Sequence, residues 1–353
     1  MGGKIKSAEP VICHVNLAKG FRGGERQTQL LTQQLSKLGW KQRLIVRTGS
    51  ALTERVADVD RLQTVEVSSN ALAAGFATRG CQLVHAHEAR AIYAGLVGRL
   101  FFRIPYIATR RVVNPFSHSP IRDQAYRRAA CIAVLSRSIA SDVQGKYPGI
   151  KCEIIPSAHA DLARNHVHND ALLEKYRGKT VIGHIGALIE RHKGQHNIIE
   201  VAHRWQSRHP DVQFVLVGSG KDEAAFQRLA KGLTNLDFTG QVTNVDDYLD
   251  LFDIFVFPSL MEELGSTLLD TMCFGLPIVA SGIDGILDIV EDGVNGLLIE
   301  PNNTEQLDAA LERLLGDAAL QEKMRAENLA RADRYSAEAM GASYDALYRR
   351  LLG

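Results

Sequence analysis

The sequence has few of the features that mark several large classes of protein. Its 353 residues include only five cysteines, which are far apart and lack the C-x-x-C spacing of zinc or redox sites. No run approaches the roughly 18 uncharged apolar residues that span a bilayer, and the first residues lack the apolar core of a signal peptide. We therefore expect reduced thiols, no metal site and a cytoplasmic location.

An excess of charge of one sign is also missing over the whole chain. The 41 lysines and arginines nearly balance the 40 aspartates and glutamates, and this net charge of +1 argues against a nucleic-acid partner. Residues 99–151 depart from the balance, with ten basic and two acidic residues. With Phe101, Phe102 and Phe116 they predict contact with anionic lipid headgroups on the inner face of the plasma membrane, or with a phosphorylated glycan. The alternative is ordinary solvated surface.

Short runs rich in valine and isoleucine alternate along the chain with longer segments of helical period. This alternation is typical of parallel sheets covered by helices on both faces. The predicted strands lie at 10–16, 42–48, 83–87, 106–109 and 131–136 in the first half, and at 181–186, 214–220, 236–240, 254–259, 277–281 and 296–301 in the second.

The pattern predicts an α/β protein with two Rossmann-like domains. We place the first domain at 1–165, the second at 166–335 and a C-terminal helix at 336–353, with that helix packing back on the first domain. Two such domains bind ligands in the cleft between them, at the carboxyl ends of the strands.

The stretch 258–281 is the richest in functional signals. Pro258 and Ser259 end a strand, and a helix follows with Ser266 as its predicted N-cap. The backbone N–H groups of Gly265, Ser266 and Thr267 then lie at the positive end of a helix dipole, which is an anion site. Taken alone, the stretch is equally well explained as a loop, a cap and a helix.

This stretch resembles the signature of the retaining GT-B glycosyltransferases of family four, also described as glycosyl transferases group 1. In that signature a strand ends in Pro-Ser, two acidic residues follow with a glycine after the first, and Gly-x-Pro closes it. Glu262 and Asp270 hold the acidic positions, although Glu263 replaces the usual glycine and aspartate replaces the commoner glutamate at 270. The resemblance covers nearly the whole chain, through segments 20–40, 183–194, 238–259 and 284–301.

The resemblance implies a nucleotide-sugar donor bound mainly by the second domain. Lys193 would grip the diphosphate with Arg191, Glu262 would hold the sugar hydroxyls, and Asp270 the ribose. The family usually has arginine where this chain has Ala187, so Arg191 is assigned as its replacement. Because a fixed cation and helix amides stabilise a leaving diphosphate, no metal or other cofactor is expected.

Four residues of the first domain complete the predicted site. Gly23 and Gly24 allow the backbone to approach a diphosphate or acceptor because they lack a Cβ. His87 lies at the carboxyl end of a strand and is a candidate for sugar contact, although a lone histidine there is more often structural. Arg111 stands where the family often has a catalytic histidine, so either His87 or Arg111 is expected to take that role.

The function implied by the resemblance is hexosyl transfer from a nucleoside-diphosphate sugar to a glycan or lipid-linked acceptor, with retention, in bacterial lipopolysaccharide or polysaccharide synthesis. Two alternatives stay open. A nucleotide-sugar epimerase can share the fold, but it needs acid and base groups around the sugar. A non-catalytic nucleotide-sugar-binding protein is compatible with the departures at Glu263 and Asp270.

Overall fold

A computed structural model describes residues 9–112, 119–160, 162 and 170–353. The chain divides into two compact units, which are Met1–Ala158 with Ala337–Gly353 (unit 1) and His159–Ser336 (unit 2). Each unit contains one parallel sheet with helices between its strands, which confirms the predicted α/β fold with two Rossmann-like domains. The predicted boundary at 165/166 and Phe116 lie outside the described residues.

The sheet of unit 1 has seven parallel strands in the order β3-β2-β1-β4-β5-β6-β7. These strands are β1 (Val11–Asn16), β2 (Lys41–Arg47), β3 (Leu62–Val67), β4 (Leu83–Ala86), β5 (Tyr106–Arg110), β6 (Cys131–Val134) and β7 (Cys152–Ile154). The helices of the unit are α1 (Gly23–Lys37), α2 (Leu52–Arg55), α3 (Ala71–Ala77), α4 (Ala91–Phe102), α5 (Pro120–Arg128), α6 (Arg137–Lys146) and, after unit 2, α15 (Ala337–Leu352).

The sheet of unit 2 has six strands in the order β10-β9-β8-β11-β12-β13. These strands are β8 (Thr180–Ile185), β9 (Val212–Val217), β10 (Leu236–Gly240), β11 (Ile254–Phe257), β12 (Ile278–Ser281) and β13 (Gly296–Ile299). The helices are α7 (Asp170–Lys175), α8 (Glu190–Lys193), α9 (Gln195–Arg208), α10 (Glu223–Leu229), α11 (Val245–Leu251), α12 (Ser266–Cys273), α13 (Thr304–Gly316) and α14 (Ala318–Ala332). Short 3-10 turns cover Asp284–Asp288 and Asp333–Tyr335.

Each unit has its own apolar core, because the central strands are buried on both faces. In unit 2 the core is built around Trp205, Phe214 and Phe226, and the Trp205 indole donates a hydrogen bond of 2.7 Å to Asp308. In unit 1, Ile12 and Ile107 of the sheet pack in one cluster with side chains of α1 and α15. Burying each such side chain stabilises the fold by about 1.5–3 kcal/mol.

The helix α15 completes the core of unit 1. Its Tyr344 and Tyr348 are buried in the same cluster as Leu31 of α1. A Cβ at Gly341 would lie 2.6 Å from the Cβ of Gln34, so the two helices touch through a position that only glycine fits. Because the sequence that forms this helix follows unit 2, the chain leaves unit 1 and later returns to it.

Two further expectations concern thiols and membrane spans. All five cysteines are free thiols. In the part of the chain that the structure describes, none of the helices combines the length and apolarity needed to cross a membrane.

Candidate active site

The predicted donor residues of unit 2 gather at the carboxyl edge of its sheet. The short helix α8, which follows β8, ends at Lys193, and the loop after the neighbouring strand β11 carries Glu262. Because β8 and β11 are parallel partners, the loops that follow them emerge at the same edge. This is the edge at which open α/β sheets bind ligands.

The two loops are held together by close backbone contact. The backbone at Gly194 is left-handed, with φ of 63°, and a Cβ there would lie 2.1 Å from the carbonyl oxygen of Pro258. The N–H of Leu260 donates a hydrogen bond of 2.8 Å to the carbonyl oxygen of His192. Lys193 is thereby fixed against the strand end that precedes Glu262.

A third loop supports this arrangement. Gly218 and Gly220 follow β9. A Cβ at Gly218 would lie 2.1 Å from the carbonyl oxygen of Gly186, and a Cβ at Gly220 would lie 2.2 Å from that of Leu188. The N–H of Leu188 also donates to the carbonyl oxygen of Ser219. The Gly-Ser-Gly sequence therefore packs one loop of the site against another.

Lys193 and Glu262 form a short ion pair. The Lys193 Nζ lies 2.5 Å from the Glu262 Oε2, and the two side chains are only 22% and 10% exposed. The ammonium group also lies 5.2 Å from the centre of the Phe257 ring. A cation and a carboxylate are thus fixed side by side at the sheet edge, where one can bind phosphate oxygens and the other sugar hydroxyls.

A buried histidine lies beneath this pair. His184 of β8 hydrogen-bonds the carbonyl oxygen of Val256 at 2.9 Å through Nδ1, and its Nε2 lies 3.3 Å from the Gln195 amide nitrogen. Burial, helped by the charge of Lys193 and opposed by the hydrogen bond to Val256, lowers the pKa of His184 to about 4. The ring is therefore neutral at pH 7 and adds no positive charge to the site.

The start of α12 differs from the prediction in one respect. The N-cap is Gly265, which is left-handed with φ of 81°, and Ser266 is the first helical residue, so the prediction of Ser266 as N-cap was wrong. Among the described residues, no hydrogen bond is seen from the backbone N–H groups of Gly265, Ser266 or Thr267. These groups are therefore available for the anion site that the sequence predicts at this helix end.

The remaining predicted donor residues lie in different environments. Asp270 accepts a hydrogen bond of 2.6 Å from the N–H of Ala160, so one of its oxygens already holds the segment that enters unit 2. Arg191 is exposed on α8, two residues before Lys193, and in the described part of the chain it forms no ion pair. Glu263 is half-buried, and its carbonyl oxygen would lie 2.2 Å from a Cβ at Gly285.

In unit 1, His87 belongs to a buried cluster that the sequence did not predict. His14 of β1 pairs in register with His85 of β4, and His87 follows two residues later. The His14 Nδ1 and the His87 Nε2 lie 2.9 Å apart, and the rings of His85 and His87 are 3.8 Å apart between centroids. His87 is only 2% exposed.

Hydroxyl groups hold the third member of this cluster. The His85 Nδ1 hydrogen-bonds Tyr348 at 2.5 Å, and its Nε2 hydrogen-bonds Thr109 at 2.7 Å. Burial is the main cause that lowers the pKa of each of the three histidines, to about 4 for His14. All three rings are therefore neutral at pH 7.

Arg111 lies next to the cluster and to the glycine loop. A Cβ at Gly24 would lie 3.8 Å from the Arg111 Cδ, whereas one at Gly23 would meet open space. Burial lowers the pKa of Arg111, and its charge contributes to the lowered pKa of His85 and His87. The structure therefore brings Gly24, Arg111 and His87 together in unit 1.

The three histidines offer one ring nitrogen each within 4.8 Å of one another, a distance that a metal ion could bridge. Two observations count against a metal at this place. Both nitrogens of His85 already bond hydroxyl groups, and the positive charge of Arg111 would repel a divalent cation. The donor set fits a neutral hydrogen-bonded network better than a metal centre.

His14, His85 and His184 are the residues that sequence reasoning missed. Each stands inside an apolar strand, where its burial depends on neighbours from other strands and helices. A signal was present, because His85 and His87 alternate in the strand pattern and so share one face. That His14 lies next to these two histidines could be known only from the order of the strands in the sheet, in which β1 and β4 are neighbours.

Sequence comparison identifies relatives of this chain. The family described as "Glycosyl transferases group 1" matches residues 179–317. The alpha-D-kanosaminyltransferase of Streptomyces kanamyceticus is 30% identical over 261 residues, which cover 70% of this chain and 67% of that protein. The lipopolysaccharide core biosynthesis glycosyltransferase LpsE of Rhizobium meliloti is 28% identical over 209 residues, which cover 58% of this chain and 59% of that protein.

The fold is also found in solved structures. The Anabaena protein HepE, solved in complex with UDP and glucose, superimposes with a TM-score of 0.79 over 97% of this chain and 100% of its own, at 15% identity. At that identity the likeness establishes the fold alone. With the sequence relatives, it confirms the resemblance drawn from the motif: the chain is a glycosyltransferase of the GT-B fold and belongs to family four, the glycosyl transferases group 1.

Proposed function

We propose that this glycosyltransferase moves a hexosyl residue from a nucleoside-diphosphate sugar to a glycan or lipid-linked acceptor, with retention at the anomeric carbon. The observation that carries the proposal is the ion pair of Lys193 and Glu262, mostly buried beside the amino end of α12. Relatives named for lipopolysaccharide core and capsular polysaccharide synthesis support a setting in bacterial surface polysaccharides. The structures of HepE with UDP and with UDP-glucose support a UDP-sugar as the donor.

The chemistry requires stabilisation of a developing anion. When the bond between the anomeric carbon and the phosphate oxygen breaks, negative charge grows on the leaving diphosphate. Lys193 and the N–H groups of Gly265 to Thr267 would stabilise that charge where it develops, and donors fixed in advance are worth more there than in water. With this positive charge supplied by the chain, the proposal needs no metal or other cofactor.

Retention follows if departure and attack occur on the same face of the sugar. The acceptor hydroxyl oxygen bonds to the anomeric carbon as the bond from that carbon to the phosphate oxygen breaks. The leaving phosphate oxygen takes the proton of the acceptor hydroxyl. Glu262 would hold the sugar hydroxyls, Asp270 the ribose, and Arg191 the diphosphate beside Lys193. In unit 1, the residues proposed for ligand contact are Gly23, Gly24 and either Arg111 or His87.

The test is a donor screen with a matched pair of variants. The wild type is incubated with UDP-, GDP- and ADP-sugars, and released nucleotide and the sugar stereochemistry are followed by chromatography and NMR. Lys193→Ala is expected to lower turnover by about 10²-fold or more, the scale of losing one positioned stabilising group. Lys231→Ala, at an exposed lysine of unit 2, is expected to leave turnover unchanged.

The same screen separates the rival functions. Formation of an epimer without nucleotide release would point to a nucleotide-sugar epimerase. Donor binding with neither product would indicate a non-catalytic protein. A folded Lys193→Ala variant with normal turnover would remove Lys193 from the mechanism.

A further inference from the structure

A cluster of large apolar side chains is exposed on unit 1, on the helices α3 and α4. Leu72 and Phe76 of α3 are 53% and 48% exposed, and Leu100 and Phe101 of α4 are 54% and 61% exposed. The rings of Phe76 and Phe101 lie 5.0 Å apart between centroids, so the two helices present one continuous surface. We call these four residues the apolar patch.

Topology places the patch beside a row of basic residues. Each helix between parallel strands runs back along the sheet, so α3, α4, α5 and α6 all end at the amino edge of β4, β5, β6 and β7. Exposed basic side chains lie at or just beyond these helix ends. We call them the basic rim: Arg79, Arg99, Arg103, Arg127, Arg128 and Lys151.

Two observations place members of the rim near one another in pairs. Burial raises the pKa of Tyr106, and the charges of Arg128 and Arg99 oppose that rise, so both guanidinium groups lie near its hydroxyl. Arg127 and Lys151 line one hollow of about 360 Å³ between the ends of α5 and α6. A hollow of this volume that is lined by two cations has room for a phosphate headgroup.

The helix dipole alone does not explain this surface. Cations are favoured at helix C-termini by a few tenths of a kcal/mol to about 1 kcal/mol, which accounts for some of the arginines. The dipole gives no reason for two phenylalanines and two leucines to be half exposed among them. Apolar side chains beside a basic rim do fit an anionic membrane, because they can enter the acyl region while the arginines bind headgroups.

We propose that the apolar patch and the basic rim together form a membrane-docking surface for anionic lipid, centred on the amino edge of the unit 1 sheet, with Leu72 at the start of α3 as the member farthest from that edge. The carboxyl ends of the strands, where Gly24, Arg111 and His87 lie, are at the opposite edge. Docking would therefore leave the candidate site of unit 1 uncovered. The inference goes beyond the proposed reaction, and it stands or falls separately from it.

Vesicle co-sedimentation tests the proposal with the full chain. The wild type is expected to bind phosphatidylcholine vesicles that contain phosphatidylglycerol at low salt, less at high salt, and pure phosphatidylcholine vesicles only weakly. Changing Arg99, Arg103 and Arg128 to Glu is expected to lower partitioning by about a hundredfold or more. Arg122, which is half-buried, is left unchanged so that folding is not disturbed.

Matched controls separate the surface from general effects of charge and hydrophobicity. Arg228, Lys231 and Arg313 are exposed on unit 2, and changing them to Glu makes the same change in net charge but should leave binding unaltered. Leu100→Ser with Phe101→Ser should weaken binding by about tenfold or more at every salt concentration. Leu173→Ser with Leu229→Ser, at leucines of unit 2 that are 40% and 50% exposed, should not.

A local reporter gives a second readout. The native tryptophans, Trp40 and Trp205, are buried, so Phe101→Trp adds an exposed indole whose emission should shift to the blue on anionic vesicles. Absence of wild-type binding at low salt, equal binding by the charge variant, or an unchanged emission of the Phe101→Trp variant on bound vesicles would each overturn the proposal. A dimer that depends on Leu100 and Phe101, without vesicle binding, would assign the patch to a second copy. Donor hydrolysis, measured in parallel, reports on the proposed reaction alone.

Discussion

At the scale of the residue, the glycine at 194 shows how the site is held. A Cβ there would meet the backbone of Pro258 at 2.1 Å, in addition to the strain of a φ of 63°. Gly178 has a similar φ of 73° with nothing within 4 Å of such a Cβ. The two positions therefore separate backbone strain from steric clash.

We expect Gly178→Ala to lower the free energy of unfolding by about 1 kcal/mol, the cost of the left-handed backbone. Gly194→Ala should cost at least about 2 kcal/mol more, because the neighbouring atom belongs to backbone and has little freedom to move. Urea unfolding of both variants measures the difference. Equal losses would mean that the loop accommodates the Cβ.

Single residues also show how far the sequence could predict the site. Lys193 and Glu262 could be expected at one place, because each follows a strand and parallel strands share a carboxyl edge. The N-cap of α12 could not, since a glycine in the left-handed region replaces the side-chain cap that a serine offers. The role of His184 was hidden because its partner, Val256, lies on a different strand.

At the scale of the element, the buried strands were predicted, as were β10 and β13 at the edges of the unit 2 sheet, but β3 and β7 at the edges of the unit 1 sheet were missed. β3 alternates half-buried and exposed positions, and β7 has three residues of mixed exposure. Edge strands have one unpaired side and less cover, so they need no continuous apolar run. The apolar run was the signal from which the other strands were predicted, and it is weak in these two.

The contact of α1 with α15 gives a prediction at the same scale. Gly341→Ala would place a Cβ 2.6 Å from the Cβ of Gln34, so α15 must shift away from α1. We expect a loss of about 1–3 kcal/mol in the free energy of unfolding of unit 1.

The matched control for that variant lies in another helix. Gly145 in α6 has nothing within 4 Å of the position that a Cβ would take, so Gly145→Ala should stabilise by up to about 1 kcal/mol through helix propensity. Thermal unfolding of the two variants should shift in opposite directions. A stabilised Gly341→Ala variant would contradict the close packing of α1 and α15.

At the scale of the whole molecule, buried histidines predict how stability depends on pH. His14, His85 and His87 in unit 1 and His184 in unit 2 all have lowered pKa values, to about 4 for His14 and His184. The unfolded chain, with histidine pKa values near 6.5, therefore binds more protons than the folded chain below that pH. Stability is kept above about pH 6.5 and falls as the pH drops toward 4.

The loss should be larger in unit 1 than in unit 2. A shift from 6.5 to about 4 corresponds to roughly 3 kcal/mol for one histidine, and unit 1 holds three of the four. Trp40 lies in unit 1 and Trp205 in unit 2, so variants that keep one tryptophan each report on one unit. Between pH 7 and pH 5, the urea midpoint should fall more steeply for the variant that keeps Trp40 than for the variant that keeps Trp205. Equal falls in the two midpoints would refute the prediction that unit 1 loses more stability.

The path of the chain also has a consequence for synthesis on the ribosome. Unit 2 is continuous from His159 to Ser336, so it can fold as soon as it has left the exit tunnel. The sheet of unit 1 is translated first, but α15, one of the helices whose side chains complete its core, is translated after unit 2. Unit 1 is therefore the first unit to be translated and the last to be complete. The apolar side chains that α15 buries stay exposed on the nascent chain until all of unit 2 has been translated.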